Sequence, residues 1–317
     1  MMTTSARRRL GRGGPELSRV GLGGADAGGD WASVSRPDET VRAMHAAFAE
    51  GVNWVDTAEA YGDGRSEEII GRVVAGRPDV LVATKFAPAR RVDRRDLRRS
   101  CEASLARLGR EAIDIYQLHF PTLNLEETWE EMGRLVDDGL VRWIGVSNFD
   151  RPRLELCERI RHVDLAQLQH SVSHRSAHAE IAFCHERGIG VVTYGTLAYG
   201  LLTLRMDEAT SFASDDWRSG ACAGPLRLLY DITFAPTARA QHLAVARAIA
   251  PVAAELGISV AELAIAWAVA QPGVTSAIVG TSSERHAADN ARAGRIELDP
   301  TTHVEIERRL APLVPRG

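Results

Sequence analysis

The stretch "NWVDTAEAYGDGRSE" (residues 53–67) contains one transition from a strand through a loop into a helix. Trp54 and Val55 are typical of a buried strand, and the acidic residues at the end of the stretch favour the first turn of a helix. Asp56 ends the strand, and Tyr61 follows in a glycine-rich loop. An aspartate at a strand end is usually a helix cap or an ion-pair partner, so the rest of the chain has to show whether Asp56 is functional.

The same unit recurs along the chain. Short, almost continuously apolar segments, typical of strands buried on both faces, alternate with segments of helical periodicity. Eight alternating units predict an α/β fold, a (β/α)8 TIM barrel, as a single domain over residues 1–317. The predicted strands are residues 18–24, 53–58, 80–86, 113–120, 141–149, 164–171, 188–195 and 274–282.

The helical segments are recognised by their start signals and by the spacing of their apolar residues. Helices are predicted to begin near Pro37 and Ser66 and to cover residues 93–108, 126–136, 176–184, 238–256 and 260–270. A long loop, residues 202–236, follows the seventh strand. Its aromatic and leucine residues predict an ordered segment, and loops of this length in compact domains are usually functional.

Composition and charge narrow the class of protein. The 317 residues are 45% hydrophobic and 25% charged, and 38 basic against 42 acidic residues give a net charge of −4. This balance does not favour nucleic acid or a membrane surface as a partner. The sequence has no long apolar run that predicts a membrane span and no signal-peptide pattern. Four cysteines without metal-type spacing complete the prediction of a cytoplasmic protein with reduced thiols and no metal site.

The carboxyl ends of barrel strands meet at one mouth, where active sites of this fold lie. Asp56, Lys85 and His119 end the second, third and fourth predicted strands. Each has an ordinary structural explanation taken alone, and Asp56 with Lys85 could be a purely structural ion pair. Together they predict an active site, because a buried cluster of ionisable groups is costly to keep without a function.

The types of side chain indicate the chemistry. A phenol has a pKa of about 10 and transfers protons poorly at neutral pH. A buried ammonium beside Tyr61 would stabilise the phenolate, and a carboxylate beside the ammonium would keep it charged. Lys85 and Asp56 supply these groups, and His119 adds an imidazole that can orient a carbonyl oxygen. No residue is a convincing nucleophile, so the species that attacks the carbonyl carbon should come from a cofactor.

Several motifs resemble, in order, those of the aldo-keto reductase family. They are "RRLGRGGPELSRVGLGG", "VDTAEAYGDGRSEE", "VATKF", "YQLHFP", "IGVSNF", "VVTYGTLAYGLL" and "IVGTSSERHAADN", and they extend over residues 7 to about 295. The resemblance implies a (β/α)8 barrel that binds a nicotinamide dinucleotide, usually NADPH, without a Rossmann fold. In agreement, the sequence has no G-x-G-x-x-G motif.

The resemblance also implies a role for each matching residue. The catalytic tetrad would be Asp56, Tyr61, Lys85 and His119, with Tyr61 as the general acid. The nicotinamide would contact Ser147, Asn148, Gln169 and Tyr194. The remaining cofactor-binding positions would be Gly23, Gly24, Gly195, Thr196, Leu197, Gly200, Leu202, Gly280, Thr281, Ser282, Ser283, Arg285, Asp289 and Asn290.

The chain departs from the family pattern in three places. Gly195-Thr196 stands where Ser-Pro is frequent, Val172 stands where a tyrosine is frequent, and Gly280 stands where many members carry a cation for the 2′-phosphate. Arg285 is close enough in sequence to replace that cation. We therefore expect NADP(H) to be preferred by a modest margin, with NAD(H) also accepted.

The substrate is expected to be a small or medium-sized aldehyde or ketone, with sugar-derived carbonyls among the candidates, or the corresponding alcohol. Candidate wall residues are Trp31, Phe86, Phe120 and Trp217, together with His119. Trp31 and Trp217 have core positions as their alternative. The sequence makes no prediction of the oligomeric state.

Three hypotheses of function remain. The first is an NAD(P)-dependent carbonyl reductase or alcohol dehydrogenase, and the second is a cofactor-holding regulatory or redox-sensor subunit without turnover. The third is a Schiff-base aldolase that uses Lys85, which Asp56 disfavours by keeping the lysine protonated. A metal-dependent hydrolase is weaker, because Asp56 and His119 are two ligands where three are expected.

Overall fold

Eight parallel strands close into a barrel in the computed structural model, which describes residues 7–29, 37–88 and 90–314. Around the barrel the strand order is β10-β3-β4-β5-β6-β7-β8-β9. Every predicted strand segment contains one of these strands, so the predicted (β/α)8 barrel is confirmed. They are β3 (Val20–Gly23), β4 (Trp54–Asp56), β5 (Leu81–Phe86), β6 (Ile113–Leu118), β7 (Val141–Ser147), β8 (Leu165–Gln169), β9 (Gly190–Tyr194) and β10 (Val274–Val279).

Helices cover the outside of the barrel. Those predicted from periodicity are present with ends shifted by at most a few residues, whereas α1, α6, α8 and α12 had no predicted counterpart. The described helices are α1 (Ala25–Gly28), α2 (Pro37–Ala49), α3 (Arg65–Val73), α4 (Arg94–Leu108), α5 (Leu125–Asp137), α6 (Arg151–Ile160), α7 (His178–Arg187), α8 (Pro225–Thr233), α9 (Pro236–Glu255), α10 (Val260–Ala270), α11 (Glu284–Ala293) and α12 (Pro300–Leu310).

A short antiparallel hairpin precedes the barrel and was not predicted. Its strands, β1 (Arg7–Arg9) and β2 (Glu16–Ser18), have three residues each, which is too short to show an alternating pattern. Leu10 and Leu17 of this hairpin are fully buried and join the apolar cluster inside the barrel. The hairpin therefore closes the end of the barrel opposite the carboxyl ends of the strands.

The barrel interior has an apolar floor directly below a polar layer. Trp54 is fully buried in the floor, and a Cβ added at Gly21 would lie 2.1 Å from the Trp54 indole, so the neighbouring strand needs glycine there. Successive side chains of a strand point to opposite faces, so the residue two positions after an inward-pointing floor residue also points inward. The floor residues Trp54, Ala83, Ile115, Leu165, Val192 and Ile278 are thus followed at this spacing by Asp56, Lys85, Gln117, Gln167, Tyr194 and Gly280.

The long segment after β9 is ordered and packs on α9. It contains 3₁₀ helices at Ala198–Thr203 and Trp217–Ser219 in addition to α8. The Trp217 ring meets the rings of Tyr199 and Phe234 edge-on, each with centroids 5.3 Å apart. This aromatic cluster explains why the segment is ordered, as its composition predicted.

Two features of composition are visible in the fold. All four cysteines are free thiols. Within the described part of the chain, no single helix is long and apolar enough to cross a bilayer, and α9 with α10 reaches that length only as a pair bent by 95°.

Candidate active site

Lys85 is the centre of the polar layer at the mouth of the barrel. Its side chain is fully buried, and its Nζ lies 2.6 Å from Asp56 Oδ2 and 2.8 Å from the carbonyl oxygen of Thr57. The third acceptor is Tyr61 Oη, at 3.4 Å. An ammonium has three protons to donate. Each proton of Lys85 therefore has an acceptor, and one of these acceptors is the phenol.

A sequence signal for this residue was missed. Lys85 is the single lysine of the chain, although Lys and Arg together number 38. Arginine is a planar fork that cannot lose its proton at ordinary pH, whereas lysine is a compact charge whose pKa responds to its surroundings. All remaining Lys and Arg positions of the chain are arginine. Lys85 is therefore a position where a lysine side chain is needed and an arginine cannot replace it.

The second oxygen of Asp56 is held by two glutamines that the sequence analysis did not select. Asp56 Oδ1 accepts hydrogen bonds from Gln167 Nε2 at 2.8 Å and from Gln117 Nε2 at 3.2 Å. Their signal in the sequence is the spacing, because each glutamine follows an apolar floor residue by two positions. The described structure thus adds Gln117 and Gln167 to the residues around the tetrad.

The ionisation of Tyr61 reflects two opposing effects. Burial raises the pKa of Tyr61, the Lys85 ammonium lowers it, and burial is the larger effect, so the pKa of Tyr61 stands above its ordinary value. Burial alone would lower the pKa of Lys85, but the Asp56 carboxylate reverses this and raises it. At neutral pH the phenol is therefore protonated and the lysine is charged. The expected lowering by Lys85 is present, but it does not overcome burial.

His119 faces the same point from β6. Its ring lies edge-on to the Tyr61 ring, with centroids 5.8 Å apart, and it stacks on Phe120 at 4.6 Å. Burial and the nearby Lys85 charge lower the pKa of His119 to about 3, so the imidazole is neutral at physiological pH. Its Nδ1 is buried and has no hydrogen-bond partner within the described residues.

The ends of β7, β8 and β9 bring together the residues predicted to contact the nicotinamide. Asn148 has a φ of +64°, in the left-handed region that few non-glycine residues adopt. Its side chain donates to the carbonyl oxygen of His119 at 3.1 Å and accepts from Tyr194 Oη at 2.7 Å. Gln169 and Ser147 are the last residues of their strands. These side chains lie on one side of the mouth.

Gly23 and Gly24 lie at the carboxyl end of β3, and Gly280 follows the neighbouring strand β10. A Cβ added at Gly23 would be tight, at 3.2 Å from the Ile278 side chain, whereas one at Gly280 would make ordinary contacts, with Asp26 Oδ2 at 3.4 Å. Gly24 has no room for a Cβ, because the Asp56 carbonyl oxygen is 2.9 Å from that position. Burial raises the pKa of the neighbouring Asp26, and Arg218 lowers it by a smaller amount.

The backbone after β9 lies beside β10. Gly195 has a φ of +67° and Gly200 a φ of +101°, both favourable for glycine. Thr196 Oγ1 donates to the carbonyl oxygen of Ile278 at 3.2 Å, which ties this segment to β10. Leu202 is buried in a hydrophobic cluster, and the partly buried Leu197 packs against the same cluster.

The start of α11 contains the residues predicted for the adenosine end of the cofactor. Ser283 is the N-cap of α11, and Thr281 Oγ1 accepts from its backbone nitrogen at 3.1 Å. The Arg285 side chain is 69% exposed and lies 3.4 Å from Asp289 Oδ2. Asp289 therefore already has a basic partner on its own helix. Ser282 lies in the same turn, and Asn290 is buried on the inner side of α11.

The predicted substrate-wall residues differ in their exposure. Phe120 is 38% exposed at the mouth, whereas Phe86 is 6% and Trp217 is 4% exposed. Trp31 lies outside the described residues. That these residues contact a substrate stays a prediction. In the described parts of the chain, no three His, Cys, Asp or Glu side chains are grouped so that they could hold a metal ion.

The mouth of the barrel thus brings together an ion-paired lysine, a tyrosine and a neutral histidine. Comparison with known proteins shows the family. The model of the aldo/keto reductase family matches residues 19–310. The chain is 32% identical over 281 residues to the aldo-keto reductase YhdN of Bacillus subtilis (strain 168), covering 84% of this chain and 82% of that protein.

Solved structures show the same likeness. The glycerol dehydrogenase AKR11B4 from Gluconobacter oxydans has a TM-score of 0.86 and 29% identity, covering 99% of this chain and 98% of the other. An aldo/keto reductase from Klebsiella pneumoniae in complex with NADP and acetate has a TM-score of 0.73 and 28% identity, covering 98% of both chains. The chain belongs to the aldo-keto reductase family, whose members are oxidoreductases of carbonyl and alcohol groups.

Proposed function

We propose that the protein is an NADP(H)-dependent oxidoreductase that reduces an aldehyde or ketone to an alcohol, or catalyses the reverse, with Tyr61 as the general acid or base. The observation that carries this proposal is the position of Lys85 Nζ between Asp56 Oδ2 at 2.6 Å and Tyr61 Oη at 3.4 Å. A phenol beside a buried, charged ammonium is the proton donor that carbonyl reduction requires.

Each residue of the tetrad has a separate task. Tyr61 gives its proton to the carbonyl oxygen as that oxygen becomes an alkoxide, and Lys85 stabilises the phenolate that remains. Asp56 keeps Lys85 charged, as the raised pKa of Lys85 supports. His119 stays neutral because its pKa is lowered to about 3, so it can donate an N–H to the substrate oxygen without competing as an acid.

A nicotinamide dinucleotide, which when bound supplies the hydride, would lie at the mouth beside the tetrad. Its phosphates would pass the small residues Gly23 and Gly280, and the N-terminus of α11 offers backbone N–H groups. Asn148, Gln169 and Tyr194 would hold the nicotinamide end. Arg285 and Ser283 would hold the 2′-phosphate, so NADP(H) is the proposed cofactor. The related Klebsiella structure with NADP supports this assignment.

The substrate class follows from the mouth and from one relative. Phe120 offers an exposed ring next to His119, and Arg218 of the segment 202–236 is close enough to Asp26 to lower the pKa of that carboxyl. The structurally similar protein from Gluconobacter oxydans is a glycerol dehydrogenase. We therefore propose small carbonyls of polyol or sugar type, or the polyols themselves, as substrates.

The direct test is turnover of a panel of aldehydes, ketones and polyols, followed at 340 nm with NADPH, NADH and their oxidised forms. Turnover that is faster with NADP(H) supports the proposal. Nucleotide binding with negligible turnover on the whole panel would instead favour a sensor or regulatory subunit. Tyr61→Phe on the best substrate tests the proposed acid.

Borohydride trapping distinguishes a Schiff-base aldolase from the proposed oxidoreductase. Because Lys85 is the single lysine, a covalent adduct on a lysine side chain can form at one position only. No adduct is expected, since the Asp56 carboxylate raises the pKa of Lys85 and keeps its nitrogen protonated. Mass mapping that finds reduced substrate on Lys85 would favour Schiff-base chemistry.

A further inference from the structure

We propose that Gln117 and Gln167 are positioning residues that hold Asp56, and through it Lys85, in place for proton transfer by Tyr61. This inference rests on the proposed function. Neither glutamine contacts Tyr61, and neither belongs to the tetrad. Their effect is assigned to the carboxylate that they contact.

The first observation is the place of the two amides. Gln117 on β6 and Gln167 on β8 point into the barrel, where they are 0% and 4% exposed. The residues two positions earlier, Ile115 and Leu165, are apolar floor residues. A buried amide is unfavourable unless its polar atoms are hydrogen-bonded. Two buried amides next to the apolar floor therefore indicate that hydrogen-bond donors are required at these positions, where apolar side chains would otherwise be expected.

The second observation is where these donors point. Asp56 Oδ1 accepts from Gln167 Nε2 at 2.8 Å and from Gln117 Nε2 at 3.2 Å. Gln167 Nε2 also lies 3.2 Å from Gln117 Oε1, which joins the two amides. Hydrogen bonds to an ionised group are stronger than those between neutral groups. With Lys85 on Oδ2, each carboxylate oxygen has its own donors and the carboxylate is fixed in rotation.

Without the two amides, Asp56 Oδ1 would lose both of its side-chain donors. Lys85 already donates to Oδ2 of the same carboxylate, and its third proton points to Tyr61. Asp56 would then compete with the phenol for the ammonium. The titratable groups around Tyr61 are Asp56 on β4, Lys85 on β5, His119 just after β6, Tyr194 on β9 and Tyr199 after β9. Lys85 is the cation among them, so a weaker contact with it raises the pKa of Tyr61.

The kinetic test compares Gln167→Leu and Gln117→Leu with the wild-type enzyme. Leucine keeps most of the volume and removes the donors. Alcohol oxidation requires the phenolate, so the midpoint of the pH profile of kcat/KM should move upward by about one pH unit. At pH values below the midpoint, kcat/KM should therefore be about tenfold lower than in the wild-type enzyme. The shift of the pH midpoint in the double variant should be smaller than the sum of the shifts in the two single variants, because both amides donate to the same oxygen.

Gln271→Leu is the matched control. Gln271 is a buried glutamine, 7% exposed, whose Nε2 donates to the carbonyl oxygen of Trp267 at 3.1 Å. It precedes β10 at the end of the barrel opposite the mouth. Its loss should lower stability without moving the pH midpoint. The Kd of NADPH should stay within about threefold of wild type in all variants, less than 1 kcal/mol.

A second measurement does not depend on turnover. Protein labelled with lysine that carries ¹³C at Cε gives one lysine signal, because Lys85 is the single lysine. In the wild-type background, Tyr61→Phe should shift this signal, since it removes an acceptor of the ammonium. In the Gln167→Leu background the same substitution should produce a smaller shift, whereas the Gln271→Leu background should keep the full shift.

The outcomes separate the two proposals. If no carbonyl or alcohol is turned over, the proposed function fails, while the lysine signal still tests the positioning role. A pH midpoint that stays or falls in an active Gln167→Leu enzyme overturns the positioning role. So does a Tyr61→Phe shift of the lysine signal that is equally large in the Gln167→Leu and Gln271→Leu backgrounds.

Discussion

Lys85 and Asp56 lie on adjacent strands and form a buried ion pair of 2.6 Å in which neither side chain is more than 5% exposed. A buried pair of this kind gives little net stability, because removing both charges from water costs about as much as their attraction returns. Its presence at the barrel mouth is explained by Tyr61, whose oxygen is the third acceptor of the same ammonium. The pair therefore indicates a chemical role rather than a structural one.

Lys85→Arg should inactivate the enzyme although it keeps the charge. The site is fully buried and shaped for a compact ammonium, and the planar guanidinium cannot match its three acceptors. We expect kcat to fall by about 10²–10⁴, as when general acid catalysis is lost, and the Kd of NADPH to change little. Steady-state kinetics and nucleotide titration check this. Arg308→Lys, an exposed exchange in the opposite direction on α12, is the control and should leave kcat unchanged.

Arg285→Ala should remove most of the preference for NADPH over NADH. Arg285 is exposed, and its surface pair with Asp289 adds little stability, so the substitution should not unfold α11. A charge-assisted contact with the 2′-phosphate is worth about 1.5–3 kcal/mol, or about one to two decades of Kd. Fluorescence titration of both nucleotides measures the ratio, which salt should also reduce. Equal Kd values in the wild-type protein would contradict the assigned 2′-phosphate contact.

His170→Phe should make the free energy of unfolding fall less steeply as the pH is lowered. His170 is fully buried against Trp267, and burial lowers its pKa to about 3. As pH falls below about 6.5, the unfolded chain takes up a proton at this histidine and the folded chain does not, so stability falls by up to about 1.4 kcal/mol per pH unit.

Urea denaturation between pH 6.5 and 5.5, above the range of most carboxylates, measures the effect. The wild-type free energy of unfolding should drop more steeply than that of His170→Phe. Since both His170 nitrogens have no protein partner within the described residues, the phenyl ring should be tolerated at pH 7. Identical slopes for the two proteins would show that His170 titrates normally in the folded state.

Replacing residues 203–236 with the equivalent segment of the Gluconobacter glycerol dehydrogenase should change substrate preference. The segment packs on α9 through Trp217 and through the Arg247–Glu208 ion pair, outside the barrel strands that carry the tetrad, and we expect it to form a wall of the substrate pocket. Ratios of kcat/KM among substrates should change by about tenfold or more, or ~1.4 kcal/mol, while the Kd of NADPH should change much less. An unchanged substrate profile would place the substrate pocket away from this segment.

The positions of the strands and of the tetrad were predictable from the sequence for a physical reason. Strands buried on both faces must be almost continuously apolar, so the polar residue that ends each one stands out, as Asp56 and Lys85 do. The observed barrel strands accordingly end at or at most three residues before the ends of the predicted segments. Helix starts with clear caps were equally visible, and Asp93 does cap α4.

The remaining features depend on tertiary contacts. The β1–β2 hairpin is too short for a pattern. The spacing of Gln117 and Gln167 indicates an inward-facing position but does not identify the carboxylate that they contact. The net direction of the pKa of Tyr61 follows from burial, which composition does not reveal. The exposure of Phe120 and the burial of Trp217 likewise depend on how the segment after β9 packs.

Tyr61→Phe tests the central claim most directly. The substitution removes the phenolic oxygen, 3.4 Å from Lys85 Nζ, and keeps the ring beside His119. With a carbonyl substrate whose reduction is limited by chemistry, kcat should fall by about 10²–10⁴ while the Kd of NADPH stays near the wild-type value. A Tyr61→Phe enzyme that keeps wild-type kcat on such a substrate would contradict the assignment of Tyr61 as the proton donor.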